Sequence, residues 1–358
     1  MCGVNDTALA QQIAGLDVDP DAVAEHHDVE DHLVAEAPVD VAAGVDVELQ
    51  PEALLERNGH KVSKSPWGPD DEIGRLNWVT PDSVGAIMSR LNGTKVFDLS
   101  VDYWSGMPSW TEAGDPPFSI WMTHTPRGSI LDGRSGYGPE IHKEYAYSGD
   151  SISMYTHCGT HIDTLNHMGY YETFWNGWTQ DEHLGSMVWT KGGTDRYPPI
   201  IARGVLLDVA ARFGVDILEP HYEIDSKDIM ETARRQGTEL RKGDVVLLRT
   251  GRMNMWPSID YLSASPGINV DGARWLCEEA GAMCIAGDNI GLEPQPYYGQ
   301  YAPVHCYMFA TAGAQIIEVC NMQEIAAEKV YEFAFLGFPM HIRGATGAPM
   351  PSVAVPLR

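Results

Sequence analysis

The stretch Y-T-H-C-G-T-H-I-D-T-L-N-H, Tyr155–His167, decides how this 358-residue chain is read. It places three histidines and one aspartate, His157, His161, Asp163 and His167, within eleven residues. Imidazole nitrogens mixed with a carboxylate suit zinc, manganese or iron(II). All four positions are odd-numbered, so an extended backbone of period two would send the four side chains to one face. A helix would pair His157 with His161 and swing Asp163 and His167 away. Gly159 and the β-branched Thr160, Ile162 and Thr164 also disfavour a helix. One such histidine alone would more often face water or satisfy a core hydrogen bond, whereas four converging donors point to a metal. Cys158 falls on the opposite strand face by the same period and reads as packing.

Three donors, His157, His161 and Asp163, with a further coordination position left open, is the catalytic pattern of a metal site rather than the closed structural one. A metal held so lowers the pKa of bound water from about 15.7 toward about 7 and supplies hydroxide at neutral pH. His167 is then either a general acid and base beside the metal or itself a ligand. Far downstream, His305 and Glu318 form a second pair of candidate donors. A carboxylate in I-I-E-V would cost several kcal/mol to bury unpaired, and a nearby cation removes that cost. Sequence spacing does not place this pair beside the first cluster.

The formal net charge is −26, unevenly placed. Residues 1–56 hold 14 acidic residues and no Lys or Arg. We read 1–56 as an acidic extension, either poorly ordered or an arm that folds on a partner subunit, and 57–358 as a single domain. So acidic a chain is not expected to bind nucleic acid or an anionic membrane. The six cysteines include no C-x-x-C pair. Together with the lack of a signal sequence or membrane-length apolar run, this gives the expectation of a soluble, cytoplasmic protein.

Elements follow in alternation. Thr80 caps a helix that opens on Pro81. Strands are expected at Lys95–Val101, Ile200–Val209, Gly243–Arg252, Met283–Ala286, Phe333–Pro339 and Pro351–Pro356. Helices are expected at Ser226–Gln236, capped by Ser226, and at Asn269–Gly281. The class is α/β with a mixed sheet. Residues 111–150 are rich in Gly and Pro and suit a lid or an edge hairpin over a site. The aromatics Trp104, Trp110, Trp175 and Trp178 around the presumed mouth suggest a flat or aromatic substrate, although such residues are more often plain core.

The pattern H-x-G-T-H-x-D-x-x-x-H resembles the signature of the metal-dependent cyclase family, which includes kynurenine formamidase, isatin hydrolase and a trans-dienelactone hydrolase. The resemblance runs over most of Trp67–Arg358. It is carried further by D-L-S (Asp98–Ser100), G-M-P-S-W, G-D-P-P-F, G-D-V-V-L-L-R-T-G, S-P-G-I-N, H-C-Y-M-F-A-T-A-G-A-Q-I-I-E and R-G-A-T-G-A-P-M-P. It implies a swivelling β/β/α fold with a barrel-like mixed sheet, usually assembled as a homodimer or higher homo-oligomer. It also implies one or two divalent ions, zinc or manganese. His157, His161 and Asp163 would hold the first ion; Asp163, His305 and Glu318 would hold or bridge a second. His167 would be the proton carrier, and Trp110, with Trp104, would line the substrate pocket. Leu165 stands where formamidases usually have proline, and the 111–150 segment is long. The chain therefore looks more like the lactone and cyclic-amide branch. The expected activity is hydrolysis of a small cyclic amide, lactone or related carbonyl compound. The alternatives are a lyase or dehydratase, an arylformamidase, and a catalytically silent binding protein.

Overall fold

Nine consecutive residues, Ile200–Asp208, form a strand buried along nearly its whole length, and the architecture is built outward from it. The computed structural model describes residues 49–358, apart from residues 94, 112, 129–143, 145 and 298. One compact unit spans Val47–Arg358. Its strands are β1 (Ala53–Arg57), β2 (His60–Ser63), β3 (Phe97–Asp98), β4 (Ser119–His124), β5 (Gly149–Ser153), β6 (His161–Asp163), β7 (Ile200–Asp208) and β8 (Glu223–Ile224). They continue with β9 (Val245–Arg249), β10 (Gly267–Ile268), β11 (Cys284–Gly287), β12 (Gln315–Glu318), β13 (Glu332–Gly337), β14 (Gly347–Pro349) and β15 (Ser352–Pro356). The helices are α1 (Pro81–Met88), α2 (Gln180–His183), α3 (Val209–Phe213), α4 (Ser226–Gln236), α5 (Val270–Glu278), α6 (Pro303–Cys306) and α7 (Gln323–Ala327).

Nine strands form one mixed sheet, curled as a half-barrel, in the order β14-β6-β12-β11-β9-β7-β13-β15-β3. The four central strands β12, β11, β9 and β7 are parallel, and the flanking pairs are antiparallel. Their side chains alternate between two cores. Val205, Leu207, Val246, Leu248, Ile285 and Ile316 face the core that α4 and α5 cover. Leu206, Val245, Leu247, Cys284, Ala286 and Ile317 face the other, with Phe97, Leu99, Phe333 and Phe335. Burial on both faces is why these strands read as unbroken apolar runs rather than as alternating ones.

The helix starts follow local chemistry. Thr80 and Ser83 form a reciprocal capping box at α1, with Pro81 in the first turn. The α4 helix has its expected span, but its cap lies one residue earlier: Asp225, not Ser226, accepts from the Asp228 N–H, and Gly237 closes the helix in the left-handed region. Three expected strands are shorter than their apolar runs, because pairing stops at Phe97–Asp98, Val245–Arg249 and Glu332–Gly337. No described helix is long and apolar enough to cross a membrane.

The boundary expected at residue 56 falls inside a hairpin. β1 pairs antiparallel with β2, and Leu55 and Val62 pack with Tyr170, Cys306 and Ala310. Residues 1–48 of the acidic extension lie outside the described residues. Of the 111–150 segment, β4 and β5 make an antiparallel pair exposing Ile120, Trp121, Met122 and Ile152, while residues 129–143 and 145 lie outside the description.

Arg75 fastens the entry segment to the central layer. Its guanidinium is buried and donates to the carbonyls of Ala312, Cys277, Ala282 and Leu49. Arg75→Leu strands those carbonyls, and with about 1–3 kcal/mol per stranded buried group the loss of stability should exceed about 3 kcal/mol. Chemical denaturation at neutral pH measures it; a loss below about 1 kcal/mol would show the carbonyls find other partners.

Candidate metal centre

Only His161–Asp163 of the opening stretch is strand; the period-two expectation for all four donors does not hold. Gly159 sits at φ +61°, a left-handed conformation that breaks extended backbone, and a Cβ there would lie 2.5 Å from the Tyr103 ring. His157 therefore reaches the site from a loop. On the other side, the His167 N–H donates to the Thr164 carbonyl at 3.0 Å, a turn that folds His167 back over the cluster. Asn166 locks this turn by accepting from the Thr164 hydroxyl and donating to the Lys191 carbonyl. Turn, three-residue strand and turn bring together what a continuous strand was expected to align. Cys158 is buried against Met107 and Phe118, as packing.

The downstream pair arrives by sheet register. β6 lies between β14 and β12, with His161 opposite Glu318 and Asp163 opposite Gly347. His305 stands in α6. His161 Nε2 lies 3.3 Å from Asp163 Oδ1 and 3.5 Å from Glu318 Oε2, and His305 Nε2 lies 3.1 Å from Glu318 Oε1 and 3.6 Å from Asp163 Oδ2. His157 Nδ1 is 2.5 Å from Asp163 Oδ1. Among the described residues, two donor groups are compact enough to hold an ion, His157 with Asp163 and His167, and Asp163 with His305 and Glu318. Asp163 belongs to both. His167 thus lies within ligand range, and its ring stacks on that of His157 with centroids 4.0 Å apart.

The donor chemistry fits a divalent cation. His161 Nδ1 faces the Gly159 carbonyl at 2.8 Å, and a carbonyl only accepts, so Nδ1 carries the hydrogen. Nε2 is then left as a lone pair, and it is buried without a hydrogen-bond partner. Asp163 and Glu318 beside it, and Glu293 behind the His305 ring, are all buried carboxylates, a concentration of negative charge that needs positive charge among them. The protons respond. Burial pushes the Asp163 carboxyl up, but the His157 and His167 rings and its hydrogen bonds outweigh this and hold it well below the usual range. Burial lowers His305, yet hydrogen bonds to Glu293 and Glu318 carry it well above the usual histidine value. Burial lowers His161 as well, but the negative charges of Asp163 and Glu318 close to its ring outweigh this and raise it. His167 goes the other way. Burial of its ring, then the neighbouring His157, push it well below 6.5, so its imidazole is neutral at pH 7.

Above the donors is a cavity of about 70 Å³ lined by Trp110, Tyr155, Met168, Ile290, Tyr297 and Tyr301 in addition to the cluster itself. Trp110 is in the lining, as expected. Trp104 is not: it packs edge-on against Trp256, centroids 5.6 Å apart, beside Met107 and Phe118. Trp175 and Trp178 are core, and the Trp175 indole donates to Asp71.

Three contributors carry no metal-ligand signal in the sequence. Glu293, lone between Leu292 and Pro294, receives His305 Nδ1 at 2.5 Å. Thr346 Oγ1 lies 3.0 Å from His157 Nε2, and as a hydroxyl it satisfies that nitrogen in either tautomer. Gly347 leaves room for the same ring, since a Cβ there would lie 2.6 Å from His157 Cε1. Gly347→Ala should push the His157 ring aside and weaken metal binding about tenfold, the low end of the usual cost of disturbing a ligand's support. A metal titration monitored by calorimetry tests this, and unchanged affinity would show that the ring is not held there.

A mixed half-barrel sheet bearing buried His and carboxylate donors defines an α/β protein with a candidate metal centre. Residues 97–294 match the family described as "Putative cyclase", and the chain belongs to that family. Among solved structures it is similar to one titled a novel cyclase, at 28% identity and a TM-score of 0.70, covering 81% of this chain and 97% of the other. It also resembles isatin hydrolase A from Labrenzia aggregata, solved with benzyl benzoate, at 20% identity, a TM-score of 0.55, and 74% and 94% coverage. Isatin hydrolase A from Ralstonia solanacearum gives 19%, 0.55, and 73% and 92%. Below 25% identity these last two establish likeness of fold. No curated protein matches the chain.

Proposed function

We propose that this chain is a metal-dependent hydrolase that opens a small cyclic amide, lactone or related carbonyl compound. The observation that supports this most is Asp163: a buried carboxylate common to two donor groups, with a neutral imidazole, His167, beside it and a small aromatic-lined cavity above. A divalent cation, zinc or manganese, held by His157, His161 and Asp163 and by His305 and Glu318 would supply Lewis acidity at the cavity floor. His161 is pre-set for it by the Gly159 carbonyl, which fixes the tautomer with Nε2 free.

His167 moves the proton. Neutral at pH 7, it accepts a proton from attacking water and returns it to the leaving nitrogen or oxygen. Trp110 and Tyr155 flank the cavity with aromatic surface, which suits a flat substrate. A cavity of this size suits the reacting end of a small molecule. The test is a hydrolysis screen over isatins, unsaturated lactones and aryl formamides, run with and without chelator in oxygen-18 water. Chelator-sensitive turnover with one labelled oxygen in the product is expected. Product without label would replace the hydrolase reading with a lyase one.

A further inference from the structure

Three of the candidate ligand imidazoles, His157, His161 and His305, are each held at the other ring nitrogen by a different kind of partner. His157 meets a hydroxyl, Thr346 Oγ1, and His161 meets a backbone carbonyl, Gly159. His305 alone meets a carboxylate: its Nδ1 lies 2.5 Å from Glu293 Oε1. Glu293 is itself immobilised. Its Oε2 accepts from the Val304 N–H at 3.0 Å and its Oε1 from the His305 N–H at 3.1 Å, so the carboxylate is fixed to the same turn that carries the ring. It is 1% exposed, and a full negative charge has been placed where neutral acceptors serve the other two rings.

We propose that Glu293 is a positioning residue: its carboxylate fixes the His305 ring and keeps the hydrogen on Nδ1, presenting Nε2 to a cation held together with Asp163 and Glu318. This rests on the metal-dependent reading. A carboxylate accepts only, so Nδ1 must donate to it, and Nε2 becomes the nitrogen free to bind. The negative charge also makes Nε2 a stronger donor than a neutral partner would, as carboxylate–imidazole–metal arrangements do. The side of the cluster built on His305 is thereby biased toward the tighter ion.

The test is a titration of the full-length chain, stripped of metal, with cobalt(II), followed by visible absorption. Glu293→Gln removes the charge and keeps one oxygen, which can still face the His305 N–H and ring while the amide nitrogen replaces the oxygen that accepts from Val304, and it should bind cobalt about 10–100-fold more weakly than wild type. Wild-type affinity in Glu293→Gln would reduce the residue to a helix cap and overturn the proposal. A double-mutant cycle separates positioning from folding. In a His305→Ala background Glu293 still accepts from the backbone N–H groups at positions 304 and 305 but has no ring to hold, so Glu293→Gln should have no further effect on cobalt affinity. A further loss of the same size there would mean that Glu293 acts through the fold and not through His305. If the wild-type chain takes up no cobalt at all, the metal-dependent reading itself falls and this proposal with it.

Discussion

Asp163→Ala should leave the protein without bound metal and without measurable hydrolysis, whereas His305→Ala should remove only part of the metal. The asymmetry follows from geometry. Asp163 Oδ1 lies within 3.3 Å of His161 Nε2 and 2.5 Å of His157 Nδ1, while Oδ2 faces His305 Nε2 at 3.6 Å. One carboxylate therefore serves both donor groups, and its loss dissolves both. His305 serves only the group with Glu318, and its loss leaves the group of His157, Asp163 and His167 in place, with His161 Nε2 3.3 Å from Asp163. If the cation contributes on the order of 4 kcal/mol to the reaction, losing it costs about 10³-fold in rate. Elemental analysis of the two variants beside wild type, paired with kcat/KM on a substrate from the hydrolysis screen, decides the matter. Equal metal content in both variants would show that Asp163 is not the shared ligand.

The second large effect belongs to His167. His167→Ala should lower kcat by about 10²–10⁴-fold, the usual worth of a general acid and base, with metal content unchanged. Metal lost along with activity would instead make His167 a ligand, which its place in the group with His157 and Asp163 permits sterically. The pH profile adds a second readout. A base must be unprotonated to act, and burial with the His157 ring nearby holds His167 well below 6.5. Activity should therefore persist as the pH falls through 6.5, and the acidic limb should appear only at lower pH. In His167→Ala that limb should vanish from the residual rate. A wild-type limb centred at or above 6.5 would assign the proton transfer to another group.

The sequence made the donors readable because imidazoles and a carboxylate crowded into eleven residues have few purely structural explanations. How they converge was not readable. The left-handed turn at Gly159 and the fold-back at Thr164–His167 replace the single extended strand that alternation suggested. The link from His305 and Glu318 to that stretch depends on β12 pairing with β6 in one register, a long-range fact that local spacing cannot contain. Glu293 gave no signal, since a lone acid before a proline resembles any loop. The aromatics misled in part for the same reason: Trp104, Trp110, Trp175 and Trp178 look alike in sequence, and only packing sends Trp110 to the cavity and the others elsewhere. By contrast, the buried parallel strands and the α1 cap were legible, because apolar runs and capping chemistry act locally.

The position of β6 between β12 and β14 bears on the order of events during synthesis. His161 pairs with Glu318 on one side and with Pro349 on the other, so the strand that carries two donors is completed by residues nearly two hundred positions later. A ribosome-bound chain halted before β12 and β14 emerge holds His157, His161 and Asp163 without the neighbouring strands that align them. Were the cluster to hold an ion, its capture would follow the pairing of β6 with β12 and β14, and a chain truncated before those strands should not retain the metal.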